Sequence, residues 1–260
     1  MTIATWNVNS IKVRAQTVAD WLDSAKTDIL CLQELKVTDD KFPAELFEER
    51  GYHAAVHGQT TYNGVAILSR LPLEDVSTGL PGDDSDEQAR YLEATVSTET
   101  GALRVASLYL PNGNPVPGPK YDYKLGWMAR LEARARDLLA FEEPFVLAGD
   151  YNIIPSPDDV HDPAAWADDA LFRPESRQAF NRIVWLGLTD AYRACHGEAH
   201  RYTFWDYQGG AWPKDHGIRI DHLLLSPQAA DRLVTADIDK TPRGHDQPSD
   251  HVPVWCRLDL

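Results

Sequence analysis

The sequence predicts an α/β fold in which mixed β-sheets are flanked by helices, and two features of the 260-residue chain support this prediction. Two segments with apolar residues at three- and four-residue steps each lead into a short apolar run, as when a helix crosses back to a strand. Between them, strand-like runs are separated by turn residues without a helix, which is typical of antiparallel neighbours. Layers that combine both arrangements form mixed sheets covered by helices.

The first strand–helix–strand unit lies at the N-terminus. After the apolar run Ile3–Trp6, the segment Arg14–Ala25 has helical apolar spacing and leads into a strand over Asp28–Leu32. Four further strands are predicted before the next helix. They are Tyr52–Val56, Val65–Ser69, Leu92–Val96 and Leu103–Leu110.

The second unit is built around the longest predicted helix, Tyr123–Phe141, which has an apolar face and an arginine-rich opposite face. Strand Phe145–Gly149 follows it. The remaining predicted elements are helix Glu175–Trp185 and strands Ile218–Leu225, Val234–Ile238 and Val252–Arg257.

No composition break, low-complexity tract or linker divides the chain, so residues 1–260 are expected to form a single domain. A cleaved secretion signal and a membrane span are not expected, because the N-terminus starts with a strand-like run and no segment has the required apolar length. Cys31 and Cys256 lie in apolar runs, where small buried thiols are the ordinary interpretation. Two buried thiols and an odd total of three cysteines predict a reducing cytoplasmic location.

The formal charge of −15 and the pI near 4.9 argue against a broadly basic surface for nucleic acid. The local field at a binding face matters more than the total, and several cations lie near the polar segments described next. They are Lys36, Arg90, Lys120, Lys124, Lys214 and Arg219. We therefore expect at most a weak, transient hold on a polyanion.

Several apolar runs end in acidic, amide or imidazole side chains, and strand ends hold such groups rigidly. Carboxylate and amide oxygens suit a hard cation such as Mg²⁺, which keeps its remaining sites for water and phosphate. These segments therefore indicate hydrolysis of a phosphate ester by a metal-dependent enzyme. They are Thr5–Asn9, Leu32–Lys36, Gly149–Asn152 and Pro248–His251.

Read in order, these four segments resemble the exonuclease III family of DNA-repair nucleases, within the endonuclease/exonuclease/phosphatase superfamily. The resemblance extends over essentially the whole chain. It implies a four-layer α/β sandwich of two mixed sheets packed face to face, with the site in a cleft at one edge. Further matching segments are Tyr62–Ile67, Leu80–Asp84, Tyr109–Gly113, Thr203–Tyr207 and Gly217–Asp221.

The resemblance implies that Glu34 is the principal metal ligand, that Asn7 contacts the metal directly or through water, and that Asp250 is a metal-site or orienting carboxylate. The cofactor is expected to be Mg²⁺, with Mn²⁺ able to substitute. From the residues alone, Glu34 could be an ordinary surface carboxylate and Asn7 a turn-forming asparagine.

Asp150 and Asn152 alternate at a strand end, so their side chains should project to one side. Alternatively, Asp-x-Asn is a turn that bonds its own backbone. The resemblance implies that Asp150 activates or orients water, that Asn152 positions nucleophile and phosphate, and that Asp221 holds the ring of His251. An isolated histidine is otherwise uninformative.

The resemblance implies that Tyr109 donates to the scissile phosphate together with Asn112, whereas from the residues alone Tyr109 could be a core aromatic. It also implies that Trp205 flanks a pocket for a base-free sugar, with burial in the core as an equally weighted alternative. Three cations complete the expected substrate-binding set, and for two of them, Arg90 and Arg219, a structural ion pair fits nearly as well. The three are Arg90, Lys120 and Arg219.

The function implied is a Mg²⁺-dependent DNA-repair phosphodiesterase that acts on duplex DNA at abasic sites and at 3′ ends, leaving a 3′-hydroxyl and a 5′-phosphate. The protein is expected to be a monomer that does not bind membranes. One alternative is a related phosphodiesterase that acts on inositol phosphates, sphingomyelin or undamaged DNA. The other is a DNA-binding protein whose catalytic site is disused.

Overall fold

The computed structural model describes residues 1–260 and contains two six-stranded sheets packed face to face, with the longest helices on their outer faces. The predicted four-layer α/β sandwich is confirmed. The strands are β1 (Thr2–Asn7), β2 (Ile29–Gln33), β3 (His53–His57), β4 (Val65–Ser69), β5 (Glu74–Thr78), β6 (Tyr91–Thr98), β7 (Gly101–Tyr109), β8 (Phe145–Asp150), β9 (Thr189–Asp190), β10 (Asp221–Leu225), β11 (Leu233–Ile238) and β12 (Val254–Leu258). The helices are α1 (Ile11–Ala25), α2 (Ala44–Glu48), α3 (Pro119–Leu139), α4 (Pro174–Val184), α5 (Ala191–Cys195) and α6 (Pro227–Ala230).

The two sheets share one plan. The first has the strand order β11-β12-β1-β2-β4-β3 and the second β5-β6-β7-β8-β10-β9. Each contains one parallel pair, β1 with β2 and β7 with β8, whose strands are connected through a long helix. Antiparallel neighbours flank both pairs, so the structure consists of two similar halves.

Three apolar layers hold the sandwich together. Between the sheets, residues such as Ile29 and Ile67 pack against Val105 and Val146. The buried thiols of Cys31 and Cys256 lie in this layer, as the apolar runs predict. Two further layers lie between α1 and the first sheet and between α3 and the second.

The sequence misses the short peripheral elements and places the start of β10 three residues too early, whereas the other predicted strand ends differ from the observed ones by at most two residues. β5 is exposed throughout and β9 has only two residues, so neither carries an apolar period. Strand β10 starts at Asp221 instead of Ile218, because Ile218 forms isolated bridges with Val160 and Phe204. Helix α3 is the longest, as predicted, and starts earlier, with Pro119 in its first turn, a position that suits proline.

Strand direction determines where polar side chains gather. The C-terminal ends of the two parallel pairs lie at the same edge of the sandwich, and β10 and β12 begin there. None of the helices has an apolar stretch long enough to cross a bilayer.

Candidate active site

One asparagine joins the ends of the two sheets. The side-chain amide of Asn7, the last residue of β1, donates to Glu34 Oε1 at 2.8 Å and to Asp150 Oδ2 at 2.9 Å. Glu34 follows β2, whereas Asp150 ends β8 in the opposite sheet. Two carboxylates from different sheets are thereby brought to one point.

Glu34 adopts a backbone conformation that is unusual for its type. Its φ is 53°, and Asn152 at the same edge has a φ of 46°. Such left-handed conformations cost free energy in residues other than glycine and recur at functional sites. Burial raises the pKa of Glu34, but the Asn7 hydrogen bond and the Lys36 ammonium, 2.9 Å away, hold it below its ordinary value. Glu34 is therefore ionised at neutral pH.

Gly149 allows Asp150 to lie close to the neighbouring strand. A Cβ atom at position 149 would lie 2.0 Å from the carbonyl oxygen of Leu108, so only glycine fits between β7 and β8 here. Burial raises the pKa of Asp150 to about 7, against the lowering effects of His251 and the Asn7 amide. A carboxyl group with that pKa can accept a proton near neutral pH.

His251 and Asp221 form the predicted contact. The ring Nδ1 of His251 donates to Asp221 Oδ2 at 2.9 Å, and Nε2 lies 3.7 Å from Asp150 Oδ2. Burial lowers the pKa of His251, but the adjacent carboxylates, chiefly Asp221, raise it to about 10. The ring is therefore an imidazolium at neutral pH, with Nε2 on the Asp150 side.

The donor atoms fit a hard divalent cation. Ligand atoms of Glu34, Asp150 and His251 lie within 4.8 Å of one another. Carboxylate oxygens are the ligands that such cations prefer, whereas a protonated imidazole cannot coordinate a metal. Glu34, which is ionised at neutral pH, is thus the residue best placed to hold the ion.

Asn7 and Asp250 lie in less direct positions. The side-chain oxygen of Asn7 accepts from the backbone N–H of Asn9 at 3.0 Å, and its amide faces the two carboxylates. Asp250 Oδ1 accepts from the Asn9 side chain at 3.2 Å. Asp250 lines the same cleft as Glu34 but lies outside the three-residue cluster.

Tyr109 and the two predicted asparagines lie together at the end of β7. Burial and the two site carboxylates raise the pKa of Tyr109 well above its ordinary value, so its hydroxyl stays protonated and can donate. Asn152 Oδ1 accepts from Asn112 Nδ2 at 3.3 Å, and Asn152 Nδ2 donates to the carbonyl of Leu110 at 2.9 Å. Asn112 is exposed and faces the solvent side of the site.

Two depressions meet at Tyr109. A cleft of about 400 Å³ contains the catalytic candidates and has an apolar wall made of Trp166, Leu171, Phe204, Ile218 and Ile220. A second groove of about 550 Å³, lined mainly by polar and charged residues, lies on the other side of Tyr109 and contains Arg90 and Lys120. Arg90 donates to the Tyr109 carbonyl at 3.1 Å and stacks on its ring, so this side chain also supports the tyrosine.

The expectation that Trp205 flanks the pocket is wrong. Its side chain is fully buried and its indole N–H donates to Asp215 at 2.9 Å. The preceding residue, Phe204, lines the cleft instead, and its ring centroid lies 5.0 Å from that of His251. Adjacent residues in extended chain point in opposite directions, and the bridge between Phe204 and His251 sets which of them faces the cleft.

Arg219 is not a DNA-binding residue either. It is buried, with Nε 2.7 Å from Asp159 and Nη1 2.7 Å from Asp190, so the structural ion pair is the correct alternative. Lys124 is also buried and its ammonium donates to the main-chain carbonyls of Asn112 and Asn152. Neither cation is available to a phosphate.

Sequence reasoning missed several residues in and around the cleft. Asn9 does not line the cleft but donates to Asp250, which does, and it lies within the polar segment Thr5–Asn9, so its position was a usable signal. His161 and His216 stack with centroids 4.8 Å apart on the cleft wall, and nothing in the sequence pattern marks them. Trp166 and Asp169 likewise come from an irregular loop without periodicity.

The sandwich and its carboxylate–histidine edge define a hydrolase of phosphate esters. The Endonuclease/Exonuclease/phosphatase family matches residues 4–251. Exodeoxyribonuclease III of Haemophilus influenzae is 32% identical over 266 residues, which cover 99% of this chain and 100% of the relative. The structure of an AP endonuclease from Archaeoglobus fulgidus is similar to this chain with a TM-score of 0.95 and a sequence identity of 39%. The structure of the 3′ phosphatase NExo from Neisseria, bound to a product DNA hairpin, is similar with a TM-score of 0.95 and a sequence identity of 42%. Both comparisons cover 100% of this chain and 100% of the other chain.

The chain belongs to the endonuclease/exonuclease/phosphatase family and, within it, to the exonuclease III and AP endonuclease branch of hydrolytic nucleases.

Proposed function

We propose that this DNA-repair nuclease is a Mg²⁺-dependent phosphodiesterase that cleaves DNA at abasic sites and removes nucleotides or blocking groups from 3′ ends. The observation that carries the proposal is the meeting of Glu34, Asp150 and the Asp221–His251 pair at one edge. Mn²⁺ should substitute for Mg²⁺, since both are hard cations that accept oxygen ligands.

Each group has a role that follows from its protonation state. Asp150, with a pKa near neutrality, orients the attacking water and accepts its proton, while Asn152 holds the nucleophile and phosphate in line. As the water oxygen bonds to phosphorus, the P–O3′ bond breaks, and the departing 3′ oxygen takes up a proton to become the 3′-hydroxyl. The imidazolium of His251 and the hydroxyl of Tyr109 donate to the phosphate oxygens as charge develops. A divalent cation bound at Glu34 would supply further neutralisation of the phosphate charge.

The cleft supports a substrate with an extruded sugar. Its apolar wall next to His251 offers a surface for a sugar without a base, and the polar groove beyond Tyr109 can receive the adjoining strand. The relatives named exodeoxyribonuclease III, AP endonuclease and 3′ phosphatase support the same range of substrates. Asn112, Arg90 and Lys120 are the proposed contacts to the strand.

The remaining parts of the proposal concern the whole chain. We propose that residues 1–260 form one domain and that the protein acts as a monomer. We also propose a cytoplasmic location, which the unpaired cysteines support. The intact set of catalytic side chains weighs against a DNA-binding protein with a disused site.

The test compares three duplexes: one with an abasic site, one with a recessed 3′-hydroxyl and one with a recessed 3′-phosphate. Initial rates are measured with Mg²⁺, with Mn²⁺ and in excess EDTA. We expect cleavage of at least the abasic duplex or a 3′ end with either metal, and none in EDTA. Full activity in EDTA, or hydrolysis of inositol phosphate in preference to all three duplexes, would overturn the proposal.

A further inference from the structure

A buried arginine on α1 holds two of the site loops together. Arg14 is 9% exposed and directs its guanidinium at the loops that flank Asn7 and His251. It donates to the Val8 carbonyl at 3.1 Å and to the Asn9 carbonyl, on the loop that follows β1. It also donates to the carbonyls of Gln247 and Pro248, both at 3.0 Å, on the loop that leads to His251.

The fifth contact is the hydroxyl of Tyr207, at 3.2 Å from Nη2. That hydroxyl in turn donates to the Pro248 carbonyl at 2.8 Å and accepts from Asn9 at 3.3 Å. Arg14 forms no ion pair with a carboxylate, so its contacts are to main-chain oxygens and one hydroxyl. The planar fork of five donors suits such a role, and a lysine could not reproduce it.

The loops that Arg14 connects carry groups from both sides of the site. The Asn9 side chain donates to Asp250 and accepts from Lys36, which pairs with Glu34 at 2.9 Å. The Ser249 hydroxyl donates to the Asn7 carbonyl at 2.8 Å. A displacement of either loop would therefore change the separation between the Glu34 side and the Asp250–His251 side.

We infer that Arg14 is a positioning residue, which sets the distance between the Asn7–Glu34 side and the Asp250–His251 side of the active site. None of its hydrogen bonds reaches Glu34, Asp150 or His251, so it acts through Asn9 and the loop Gln247–Ser249. This inference rests on the proposed function, because it assigns Arg14 to the geometry of that reaction.

The test uses Arg14→Lys with Arg130→Lys as the matched control. Arg130 is also a helix-borne arginine that donates to two main-chain carbonyls, those of Leu80 and Pro81, but it lines neither depression. Two quantities are measured: Mn²⁺ affinity of the DNA-free protein by calorimetry, and kcat and KM on the best duplex substrate. Circular dichroism and thermal melting report the fold.

For Arg14→Lys we expect a loss of about 10- to 100-fold in kcat with little change in KM, and a Mn²⁺ dissociation constant raised by about tenfold, the usual effect of removing support behind a site. Arg130→Lys should lower the melting temperature without changing kcat or the Mn²⁺ dissociation constant. A folded Arg14→Lys protein with wild-type kcat and Mn²⁺ affinity, or with losses that Arg130→Lys shares, overturns the inference.

Tyr207→Phe decides the matter if Arg14→Lys does not fold. It removes one acceptor of Arg14 at a half-exposed position, and should weaken Mn²⁺ binding and kcat in the same direction but less. If Tyr207→Phe has the kcat and the Mn²⁺ affinity of the wild type, the inference is overturned. If the wild type cleaves no duplex, the proposed function fails, whereas the Mn²⁺ affinities still decide the role of Arg14.

Discussion

At the scale of single residues, the site is dominated by buried charge. Three carboxylates, Glu34, Asp150 and Asp221, lie around one imidazolium, His251. Burial is the main cause of the raised pKa of Asp150, and repulsion from the Asp221 carboxylate adds to it. A divalent cation would relieve this repulsion, which gives the metal a structural as well as a chemical reason to bind.

Replacing Glu34 with Gln should therefore weaken metal binding and lower the rate by a factor on the order of 100, because the ion loses its charged anchor. Calorimetry with Mn²⁺ and initial rates would measure the two effects. Glu132→Gln on α3, which removes a carboxylate bound by two arginines far from the cleft, is the control. An unchanged Mn²⁺ affinity in Glu34→Gln would contradict the assignment.

Asp221→Asn should lower the pKa of His251 from about 10, since the Asp221 carboxylate is the main cause of the rise. The folded protein would then lose the imidazolium at a lower pH than the wild type, which NMR titration of the metal-free protein can follow. In activity, Asp221→Asn and His251→Asn should each be severe and the double variant little worse than the worse single one. Strictly additive barriers would argue against a coupled pair.

A comparison of Phe204→Ala with Trp205→Ala should distinguish a residue that lines the cleft from a residue that lies in the core. Phe204→Ala should reduce abasic-site cleavage by on the order of tenfold, as expected for the loss of one apolar contact to the base-free sugar, with stability nearly unchanged. Trp205→Ala should instead cost about 3–5 kcal/mol of stability, because it empties a fully buried site. Kinetics and urea melts distinguish the two, and the reverse pattern would mean that Trp205 faces the substrate.

At the scale of elements, α3 does more than cover a sheet. Its Lys124 ammonium is buried between the loops after β7 and β8, where it donates to the carbonyl of Asn112 at 3.0 Å and that of Asn152 at 2.6 Å. Burial lowers the pKa of Lys124 to about 7, although nearby carboxylates oppose the change. The helix therefore fixes the two asparagines at the cost of a buried amine.

This arrangement predicts how stability depends on pH. Between about 7 and the ordinary value of 10.5, the unfolded chain holds a proton on Lys124 that the folded chain has released. Raising the pH through that window should therefore stabilise the fold through this group. In Lys124→Met, the gain in unfolding free energy between pH 7 and pH 9 should be smaller than in the wild type. An equal or larger gain would show that Lys124 keeps its proton when folded.

At the scale of the whole molecule, a protein of net charge −15 must hold a polyanion. With Lys124 and Arg219 buried, the predicted cation set is reduced to Lys36, Arg90, Lys120 and Lys214, and Lys36 already pairs with Glu34. Binding should therefore depend on a few local charges and on the cleft itself.

DNA affinity should fall as salt rises, with a log–log slope no steeper than about −4, since each neutralised phosphate contributes roughly 0.9. Lys120→Ala should weaken binding to abasic and undamaged duplex alike and reduce the slope by about one, because an exposed lysine contacts phosphate and not sequence. Fluorescence anisotropy over a salt series measures both. Salt-independent binding would contradict an electrostatic hold.

The sequence by itself predicted several of the polar side chains that meet at one edge of the sandwich. Apolar runs that end in Glu34 and Asp150 could be recognised because a buried strand needs a continuous apolar stretch and must end where polar groups begin. The resemblance to the nuclease family then assigned Asp221 to His251, and that contact is present at 2.9 Å. These features can be recognised because each lies in a short segment whose local pattern of apolar and polar residues is nearly sufficient to identify it.

Only the tertiary structure decided which side chains face the cleft. Phe204 rather than Trp205 lines it because a bridge to His251 sets the orientation of that segment. Arg219 is used internally because Asp159 and Asp190, distant in sequence, lie beside it. Arg14 likewise finds its acceptors on loops more than 200 residues away. Each outcome depends on neighbours supplied by packing, which no local pattern of apolar and polar residues records.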